Sequence, residues 1–339
     1  MKGVRLLGNC QVQIADLPDP TPQPDEAVIR VTASGVCGSE LGGFRGPKAL
    51  PSNNGHEVAG IVEDPNGHTE WKAGDRVGVF TLQGCGECRW CRKGWDDLCP
   101  SVRPPKATHS QLTCSRARSL VRLDDLEDME VDAPLAVLFF GDGMGVPFGA
   151  STRAQVGPGD ITCVLGCGPV GLGMVLLQTF LGARVIAVEV NPVRLELAQE
   201  FGAWKTLNPS ETDNIAQTLR DLTGGIGPQK CFEAAGRQET LDLALEATAP
   251  EGLIVQVGQG PIQLNPNKLI GKRNLTIKGN WICHPGECPR LLEMQRKGLR
   301  AERLITAAYP FTEAQQAFQE AADGKQAKII LTYGIWPGS

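Results

Sequence analysis

The hydrophobic positions of the first 145 residues fall in short runs that are typical of β-strands. Three examples are AVIRVTASGV (27–36), HEVAGIVED (56–64) and DRVGVFTL (75–82). Each is rich in Val and Ile, and Gly, Pro or Asp residues bound these runs, which is the usual signature of a strand. The pattern therefore predicts a β-rich region from residue 1 to about residue 145.

From about residue 150, strand-like runs alternate with helix-like runs. ITCVLG (161–166) leads into VGLGMVLLQTFLG (170–182), and RVIAVEV (184–190) leads into PVRLELAQEFG (192–202). This alternation is typical of a parallel sheet with helices on both faces. After about residue 285, two helix-like runs precede a last strand, KIILTYG (328–334), and this tail either returns to the first domain or extends the second.

One apolar stretch imitates a membrane-spanning helix. Residues 161–183 carry no charge and are long enough to cross a bilayer. The stretch also contains five glycines and a proline, which a buried strand, a glycine turn and a buried helix explain better. We therefore expect no membrane association.

Composition narrows the class of protein. A chain of 339 residues with 41% hydrophobic and 21% charged residues is an ordinary globular enzyme of about two domains. The net charge of −5 and the lack of a basic run argue against a nucleic-acid partner. The first twenty residues show no export signal, so we expect a cytoplasmic protein in which the twelve cysteines are reduced.

Four cysteines stand in the stretch GCGECRWCRKGWDDLC, residues 84–99, here called the four-cysteine lobe. Their spacing lets one chain wrap four sulfurs around a tetrahedral ion, whereas disulfides between such close neighbours are strained. An iron–sulfur cluster is the remaining rival, but the run of cysteines typical of it is missing. The lobe therefore predicts a structural zinc site at Cys85, Cys88, Cys91 and Cys99.

A dinucleotide fingerprint, GCGPVG at 166–171, follows a predicted strand and opens a predicted helix. Its first glycine allows a tight turn, its second lets a pyrophosphate approach the backbone, and its third lets the helix pack closely. An acidic residue in the next strand accepts hydrogen bonds from the ribose and repels a 2′-phosphate, which favours NAD over NADP, although a nearby arginine softens that exclusion. The predicted cofactor residues are Gly166, Gly168, Pro169, Val170, Gly171, Glu189 and Arg194.

Three further side chains offer ligands for a second metal ion. They are Cys37 in GVCGSE, His56 in GHEVAG and Asp142 in GDGMG. Spacing does not show that these three side chains meet, and single cysteines and histidines are more often buried residues of the core without a ligand role.

The order of these motifs resembles a known family. CGSE, GHE, the four-cysteine lobe, an acidic residue ahead of the fingerprint, and GCGPVG together resemble the zinc-containing medium-chain dehydrogenases, which include alcohol, polyol and threonine dehydrogenases. The resemblance covers essentially the whole chain. It implies an α/β protein with a GroES-like β-rich catalytic domain, residues 1–145 and 285–339, and a Rossmann domain with a doubly wound parallel sheet, residues 146–284.

The resemblance also implies roles for individual residues. Cys37, His56 and Asp142 fall on the ligands of a catalytic zinc, Glu57 falls on an acidic residue that can transiently bind that zinc, and Ser39 falls on a hydroxyl that contacts the substrate oxygen. Two zinc ions per chain, one catalytic and one structural, are thus implied. The mechanism is removal of the hydroxyl proton through Ser39 and transfer of a hydride to the nicotinamide.

Two positions depart from the family pattern. Gly42 stands where many relatives have a proton-relay histidine, and Glu40 replaces the usual aspartate after CGS. Elsewhere, CHPGEC (283–288) is expected to be a loop or subunit contact, and His68 and His109 are expected on the solvent side. The remaining cysteines are expected to be small buried hydrophobic residues: Cys10, Cys114, Cys163, Cys167 and Cys231.

The acidic third ligand and the missing relay histidine favour polyols, sugars or amino-polyols as substrates. A simple primary or secondary alcohol is the alternative, and a zinc-free reductase or a cofactor-binding protein without turnover fits less well. The loops after EAAG (233–236) and VGQG (257–260) are the expected floor for the nicotinamide, because parallel sheets bind ligands at their strand ends. A small alcohol or carbonyl compound is the expected partner, in a homodimer or homotetramer.

Overall fold

The computed structural model describes residues 1–271 and 273–334. Fifteen strands, numbered along the chain, lie in this part: β1 Lys2–Gly8, β2 Gln11–Asp16, β3 Glu26–Val36, β4 Val58–Asp64, β5 Arg76–Val79, β6 Leu112–Arg116, β7 Leu120–Arg122, β8 Ile161–Leu165, β9 Arg184–Val188, β10 Lys205–Leu207, β11 Lys230–Glu233, β12 Leu253–Gln256, β13 Thr276–Gly279, β14 Ile305–Pro310 and β15 Lys328–Thr332.

Ten α-helices lie in the same described residues. They are α1 Leu41–Arg45, α2 Ala133–Phe140, α3 Asp142–Arg153, α4 Pro169–Phe180, α5 Pro192–Glu200, α6 Ile215–Leu222, α7 Gln238–Ala247, α8 Asn267–Ile270, α9 Cys288–Arg296 and α10 Ala314–Asp323.

The chain divides into two compact units, residues 1–145 with 284–339, and residues 146–283. The sequence places the second boundary at 284/285, and the structure places it at 283/284. The C-terminal tail belongs to the first unit because β15 pairs with β3.

The first unit is built around a seven-stranded sheet with the order β14-β15-β3-β4-β5-β7, in which β6 also pairs with β3. β3 is the central strand and is buried along most of its length, which fits its Val/Ile-rich sequence. β4 runs antiparallel to β3 with Ser34 opposite Val58, and β15 runs antiparallel to it with Val36 opposite Ile329. This register brings the residues just after β3, just before β4 and at the start of β15 to one end of the sheet.

The second unit is a parallel six-stranded sheet with the order β10-β9-β8-β11-β12-β13. Every residue of β8 is buried, as expected for a strand covered on both faces. The chain turns to β9 on one side of β8 and later to β11 on the other, so the point where the strand order reverses lies between β8 and β11. The predicted α/β fold is confirmed.

The apolar stretch 161–183 forms β8, a glycine turn and α4, as predicted. Within the described residues, one helical stretch, Ala133–Arg153, is long and apolar enough to cross a membrane. Its most apolar part is 89% buried inside the protein, as in a core helix, so its length and composition are weak evidence for a membrane span.

Candidate functional site

The first unit brings four ligand side chains together at the end of its central strand. Cys37 directly follows β3, His56 and Glu57 directly precede β4, and Asp142 begins α3. One ligand atom from each lies within 4.8 Å of the others. This group is called the Cys37 cluster below, and it contains all three residues expected to bind a catalytic metal together with Glu57.

The geometry of the Cys37 cluster suits a metal ion. Asp142 Oδ2 lies 3.4 Å from Cys37 Sγ and 3.2 Å from His56 Nε2. His56 Nδ1 donates to the carbonyl of Asn54 at 3.0 Å, which fixes the ring so that Nε2 faces the other ligands. Glu57 Oε2 is buried and has no hydrogen-bond partner. A thiol, an imidazole and two carboxylates with an unpartnered oxygen are ligands that zinc accepts.

The pKa shifts within the Cys37 cluster also suit a metal ion. Burial and the charge of Asp142 raise the pKa of the Cys37 thiol. Burial would lower the pKa of His56, but its hydrogen bonds to Asp142 and Cys37 outweigh that and raise this pKa far above its usual value. Burial would raise the pKa of Asp142, but the hydrogen bond and charge of His56 hold it below its usual value. Binding a divalent cation would take the place of these protons.

Lys328, which the sequence analysis did not single out, completes the charge balance. It is the first residue of β15, and its Nζ lies 2.6 Å from Glu57 Oε1. Both side chains are almost fully buried. Although burial lowers the pKa of Lys328, the charges of Glu57 and Cys37 raise it above its usual value, so the lysine is a cation. The antiparallel register of β15 on β3 places it there, and no local pattern in the sequence signals it.

Ser39 contacts the Cys37 cluster, and Gly42 lies in α1, which follows it in the chain. The Ser39 hydroxyl donates to Cys37 Sγ at 3.3 Å, and the residue is exposed. A Cβ atom added to Gly42 would meet no heavy atom within 4 Å. The space immediately around position 42 is therefore free of other protein atoms.

The four-cysteine lobe also brings its sulfurs together. One ligand atom from each cysteine lies within 4.8 Å of the others, and all four cysteines are free of disulfide bonds. Backbone amides donate to these sulfurs: the N–H groups of Cys85 and Ser101 each lie 3.3 Å from Cys99 Sγ. Amide donors stabilise thiolates, and four convergent cysteine sulfurs with no carboxylate or imidazole among them fit a closed tetrahedral zinc site.

The thiols of the lobe differ in acidity. Hydrogen bonds from the amides of Glu87 and Cys88 lower the pKa of Cys85 to about 6. Burial raises the pKa of Cys91 to about 12. The backbone turn thus prepares one ligand as a thiolate, while another needs a cation to ionise.

The segment CHPGEC packs against the four-cysteine lobe. The ring of His284 stacks on Trp95 with centroids 4.8 Å apart, and its Nδ1 lies 2.7 Å from Asp97 Oδ1. The amide of Gly286 donates to the carbonyl of Gly94 at 2.9 Å. The expected loop is a 3-10 turn, Pro285–Glu287, followed by α9. In residues 1–271 and 273–334 the metal-ligand groups are the two described above, and this segment is not one of them.

The fingerprint in the second unit has the backbone that its glycines predict. Gly166 has φ +92°, which an L side chain rarely adopts, and a Cβ atom on Gly171 would lie 1.9 Å from the Gly166 carbonyl oxygen. A Cβ atom on Gly168 would meet nothing within 4 Å, so that face is open to a ligand. α4 begins at Pro169 without a side-chain cap, which leaves its N-terminal amides available to a phosphate.

Glu189 follows β9 and lies beside the fingerprint. Its Oε2 accepts a hydrogen bond from the Cys167 amide at 2.8 Å, and its Oε1 accepts from the amides of Val190 and Asn191. Arg194 Nη1 lies 3.9 Å from Glu189 Oε2. The carboxylate is therefore held in place at the strand end, with the arginine that was expected to soften its effect next to it.

A buried glutamate that the sequence analysis missed joins the two loops expected to form the nicotinamide floor. Glu233 ends β11, and its carboxylate accepts hydrogen bonds from the amides of Ala235 and Gly236 and the hydroxyl of Thr240. Gln256, at the end of β12, donates to it as well. The two loops thus share one carboxylate at the carboxyl ends of neighbouring strands.

The expectation that His109 lies on the solvent side is wrong. The residue is fully buried because Glu40 and Ser34 surround its imidazole with hydrogen-bonding partners. His68 is half-buried, with its ring 3.7 Å from Glu70. Of the cysteines expected to be buried, Cys163, Cys167 and Cys231 are buried, whereas Cys10 and Cys114 are only half-buried.

Two family models match this chain. "Alcohol dehydrogenase GroES-like domain" matches residues 23–125, and "Zinc-binding dehydrogenase" matches residues 169–297. Together with the fold, they define a zinc-type dehydrogenase, and the protein is therefore an oxidoreductase. The chain belongs to the zinc-containing medium-chain dehydrogenase family.

Characterised relatives resemble the chain over almost its whole length. It is 31% identical to the class-3 alcohol dehydrogenase of Drosophila melanogaster, covering 94% of each chain. It is 29% identical to the sorbitol dehydrogenase of Halalkalibacterium halodurans, covering 96% of each.

Solved structures agree with the fold. Alcohol dehydrogenase TADH from Thermus sp. ATN1 matches with a TM-score of 0.86 at 26% identity, covering 98% of this chain and all of that one. An alcohol dehydrogenase from Escherichia coli CFT073, solved with NADH, matches with a TM-score of 0.84 at 25% identity, covering 98% of this chain and 99% of that one.

Proposed function

We propose that this protein is a zinc-dependent, NAD-linked dehydrogenase that interconverts a hydroxyl-bearing carbon of a polyol, sugar or amino-polyol and the corresponding carbonyl. The observation that carries the proposal is the convergence of Cys37, His56 and Asp142 beside the unpartnered oxygen of Glu57. Membership of the dehydrogenase family indicates which reaction these converging residues would support.

In this proposal each chain holds two zinc ions. Cys37, His56 and Asp142 hold the catalytic ion, and Glu57 is a ligand that can exchange with substrate. Cys85, Cys88, Cys91 and Cys99 hold the structural ion, whose four thiolates leave no position for a substrate. When bound, zinc at the Cys37 cluster acts as a Lewis acid that lowers the pKa of a substrate hydroxyl, and NAD accepts the hydride.

Ser39 is the residue that we assign to proton removal. Its hydroxyl donates to Cys37 Sγ in this structure, and its lone pairs are free to accept the substrate proton. In the transfer, the hydroxyl hydrogen would turn from Cys37 Sγ to a water molecule as the substrate proton arrives, so that the serine stays neutral. Because Ser39 is exposed and the space beside Gly42 holds no protein atoms, water can take the proton onward. A relay histidine is not needed for this route.

The cofactor is assigned to the fingerprint, Gly166 to Gly171, with the pyrophosphate at the start of α4. The preference for NAD over NADP rests on Glu189, whose fixed carboxylate would repel a 2′-phosphate. The test compares kcat/KM for NAD and NADP in the wild type and in Glu189→Gln. We expect Glu189→Gln to lower the ratio of kcat/KM for NAD to kcat/KM for NADP. An unchanged ratio would show that Glu189 does not set the cofactor preference.

The substrate class is supported by relatives named for polyols, such as the sorbitol dehydrogenase above and the D-arabitol-phosphate dehydrogenase of Enterococcus avium, which is 27% identical. The second candidate is a simple alcohol, which the similarity to an alcohol dehydrogenase supports. A panel of polyols, sugars and simple primary and secondary alcohols, each assayed with NAD, decides between them by kcat/KM. NADH binding without turnover of any of them would favour a cofactor-binding protein.

Elemental analysis of protein purified without added metal tests the core of the proposal. We expect about two zinc ions per chain, and one ion in Cys37→Ser. A wild-type protein that holds one ion, lost only when Cys85 or Cys99 is changed, would contradict the catalytic assignment unless added zinc restored turnover.

Cytoplasmic location and a homodimer or homotetramer remain part of the proposal. The location follows from the expected reducing compartment, and the helices and loops of the Rossmann domain are the expected subunit contact. Light scattering of the purified protein tests the number of subunits.

A further inference from the structure

His109 is a fully buried histidine that the proposed reaction does not use. It precedes β6, in a segment far along the chain from both Cys37 and His56. Its Nε2 lies 3.0 Å from Glu40 Oε1, and its Nδ1 lies 2.8 Å from Ser34 Oγ. Because an ionised carboxylate only accepts, the imidazole donates to Glu40. Ser34 is fully buried, so this Glu-His-Ser arrangement has no access to a substrate and is not a nucleophile.

The side chain of His109 reaches Cys37 through Glu40. The carboxylate of Glu40 accepts a hydrogen bond from the Cys37 amide at 2.8 Å, and the Cys37 carbonyl accepts one from the Glu40 amide at 3.1 Å. This reciprocal pair ties Glu40 to the backbone of Cys37, which carries the predicted metal ligand. Holding the Glu40 carboxylate therefore also holds the backbone from which the Cys37 thiol projects.

The backbone of His109 reaches His56 through Asn53. The Asn53 side-chain amide donates to the His109 carbonyl at 3.2 Å, and its oxygen accepts from the amide of Gly55 at 3.0 Å. Gly55 packs so closely that an added Cβ atom would lie 2.9 Å from His109 Cδ2. The loop that carries His56 is thus seated directly on His109.

We propose that His109 is a positioning residue that sets the separation and orientation of Cys37 and His56 as ligands of one metal ion. The inference rests on the proposed function, which makes these two residues zinc ligands. One residue contacts the supports of both, through its side chain on one side and its backbone on the other. Glu40 is the group that links His109 to Cys37.

A purely structural role makes a different prediction. If the Glu40–His109 pair only satisfied two buried polar groups, replacing both with apolar residues would restore stability and metal binding together. If the pair positions a ligand, the same replacement would restore stability and leave the metal site impaired. Outer-sphere partners of metal ligands typically contribute 10–100-fold to metal affinity.

The experiment uses His109→Phe and the double variant Glu40→Leu/His109→Phe. Phenylalanine keeps the edge-to-face contact with Phe318, whose ring centroid is 5.7 Å from that of His109. Zinc affinity is measured by competition with a chelator, and stability by urea unfolding. We expect the double variant to be more stable than His109→Phe, and to bind one of its two zinc ions about 10–100-fold more weakly than the wild type.

Matched variants separate the two arms of the network. His109→Gln can still place an amide donor near Glu40, whereas His109→Asn is too short to reach it and keeps only the contact with Ser34. We expect His109→Gln to retain zinc better than His109→Asn, even if the double variant fails to fold. Thr113→Val removes a buried hydroxyl that donates to the Lys106 carbonyl near the same segment, and it should leave both zinc ions in place.

The outcomes are distinguishable. Two zinc ions of wild-type affinity in the double variant, or equal affinities in His109→Gln and His109→Asn, would overturn the positioning role while leaving the proposed function standing. A wild-type protein that lacks the second zinc ion would instead overturn the proposed function. The thiolate-to-metal absorption of cobalt-substituted His109→Asn can also be compared with that of the cobalt-substituted wild type. Identical spectra would contradict the inference.

Discussion

The four-cysteine lobe and the Cys37 cluster both gather four ligand side chains, but the chain holds them in different ways. The lobe draws its ligands from residues 85–99 and orients the sulfurs with backbone amides of its own turns. The Cys37 cluster joins side chains that are 105 residues apart, and surrounds them with buried charges from other strands. One site depends on local conformation, and the other depends on the register of the sheet.

The difference has a chemical consequence. Four sulfurs fixed by the backbone would enclose a metal ion on all sides, so the lobe is suited to keeping that ion bound. The Cys37 cluster has mixed ligands, one unpartnered carboxylate oxygen and an exposed serine beside it, so it can admit another molecule. Substitutions in the lobe should therefore mainly unfold the protein locally, and substitutions in the Cys37 cluster should mainly reduce catalytic activity.

The largest effect is expected from removing a buried ligand of the lobe. Cys91→Ser should lower the zinc content from two ions to one and unfold the segment around residues 84–100, because structural zinc contributes about 10–16 kcal/mol of binding free energy in small zinc domains. Limited proteolysis with mass spectrometry locates the exposed segment. Cys37→Ser is the control, since it should also lose one ion but gain no cleavage there. Equal cleavage of this segment in both variants would contradict the proposed difference between the lobe and the Cys37 cluster.

The next effect is expected at the buried ion pair of the Cys37 cluster. Lys328→Met leaves the Glu57 carboxylate buried without a cation, which should lower the free energy of unfolding by about 3–5 kcal/mol in urea titrations. Lys328→Arg keeps the charge and should lose much less. If Lys328→Met were as stable as the wild type, the charge balance described for this cluster would be wrong.

A smaller effect separates two serines, one beside each site. Ser39→Ala removes the hydroxyl assigned to proton removal and should lower kcat by about 100-fold or more, with an unchanged melting temperature. Ser101→Ala should change neither quantity, because Ser101 contacts Cys99 through its backbone amide. Steady-state assays and thermal unfolding measure both. A kcat of Ser39→Ala close to that of the wild type would remove Ser39 from the mechanism.

The smallest effect concerns the metal-free lobe and its pH dependence. A pKa of about 6 makes Cys85 largely thiolate at pH 7, whereas a pKa of about 12 keeps Cys91 protonated. Alkylation followed by peptide mapping should therefore label Cys85 first, with a rate that falls as the pH drops below about 6. Added zinc should protect both cysteines. Faster labelling of Cys91 than of Cys85 would contradict the role given to the backbone amides.

The same contrast explains what could be predicted from the sequence. The lobe and the fingerprint are local, so spacing alone indicated their ligands and glycines, and the alternation of strands and helices indicated the parallel sheet. Cys37, His56 and Asp142 could be nominated together only through the family resemblance. Lys328 and His109 escaped prediction because sheet register places them, and an isolated Lys or His carries no local signal. Residue type alone suggested the wrong environment for His109.

The position of Lys328 has a consequence for the order of assembly during synthesis. The four-cysteine lobe is complete once residue 99 has been made, whereas Glu57 waits for a cation that lies 271 residues further along the chain. A nascent chain would therefore be able to bind the proposed structural zinc long before the charges of the Cys37 cluster are balanced. We expect the reactive centre to be the last part of the first unit to mature, when β15 adds to the sheet and delivers the lysine.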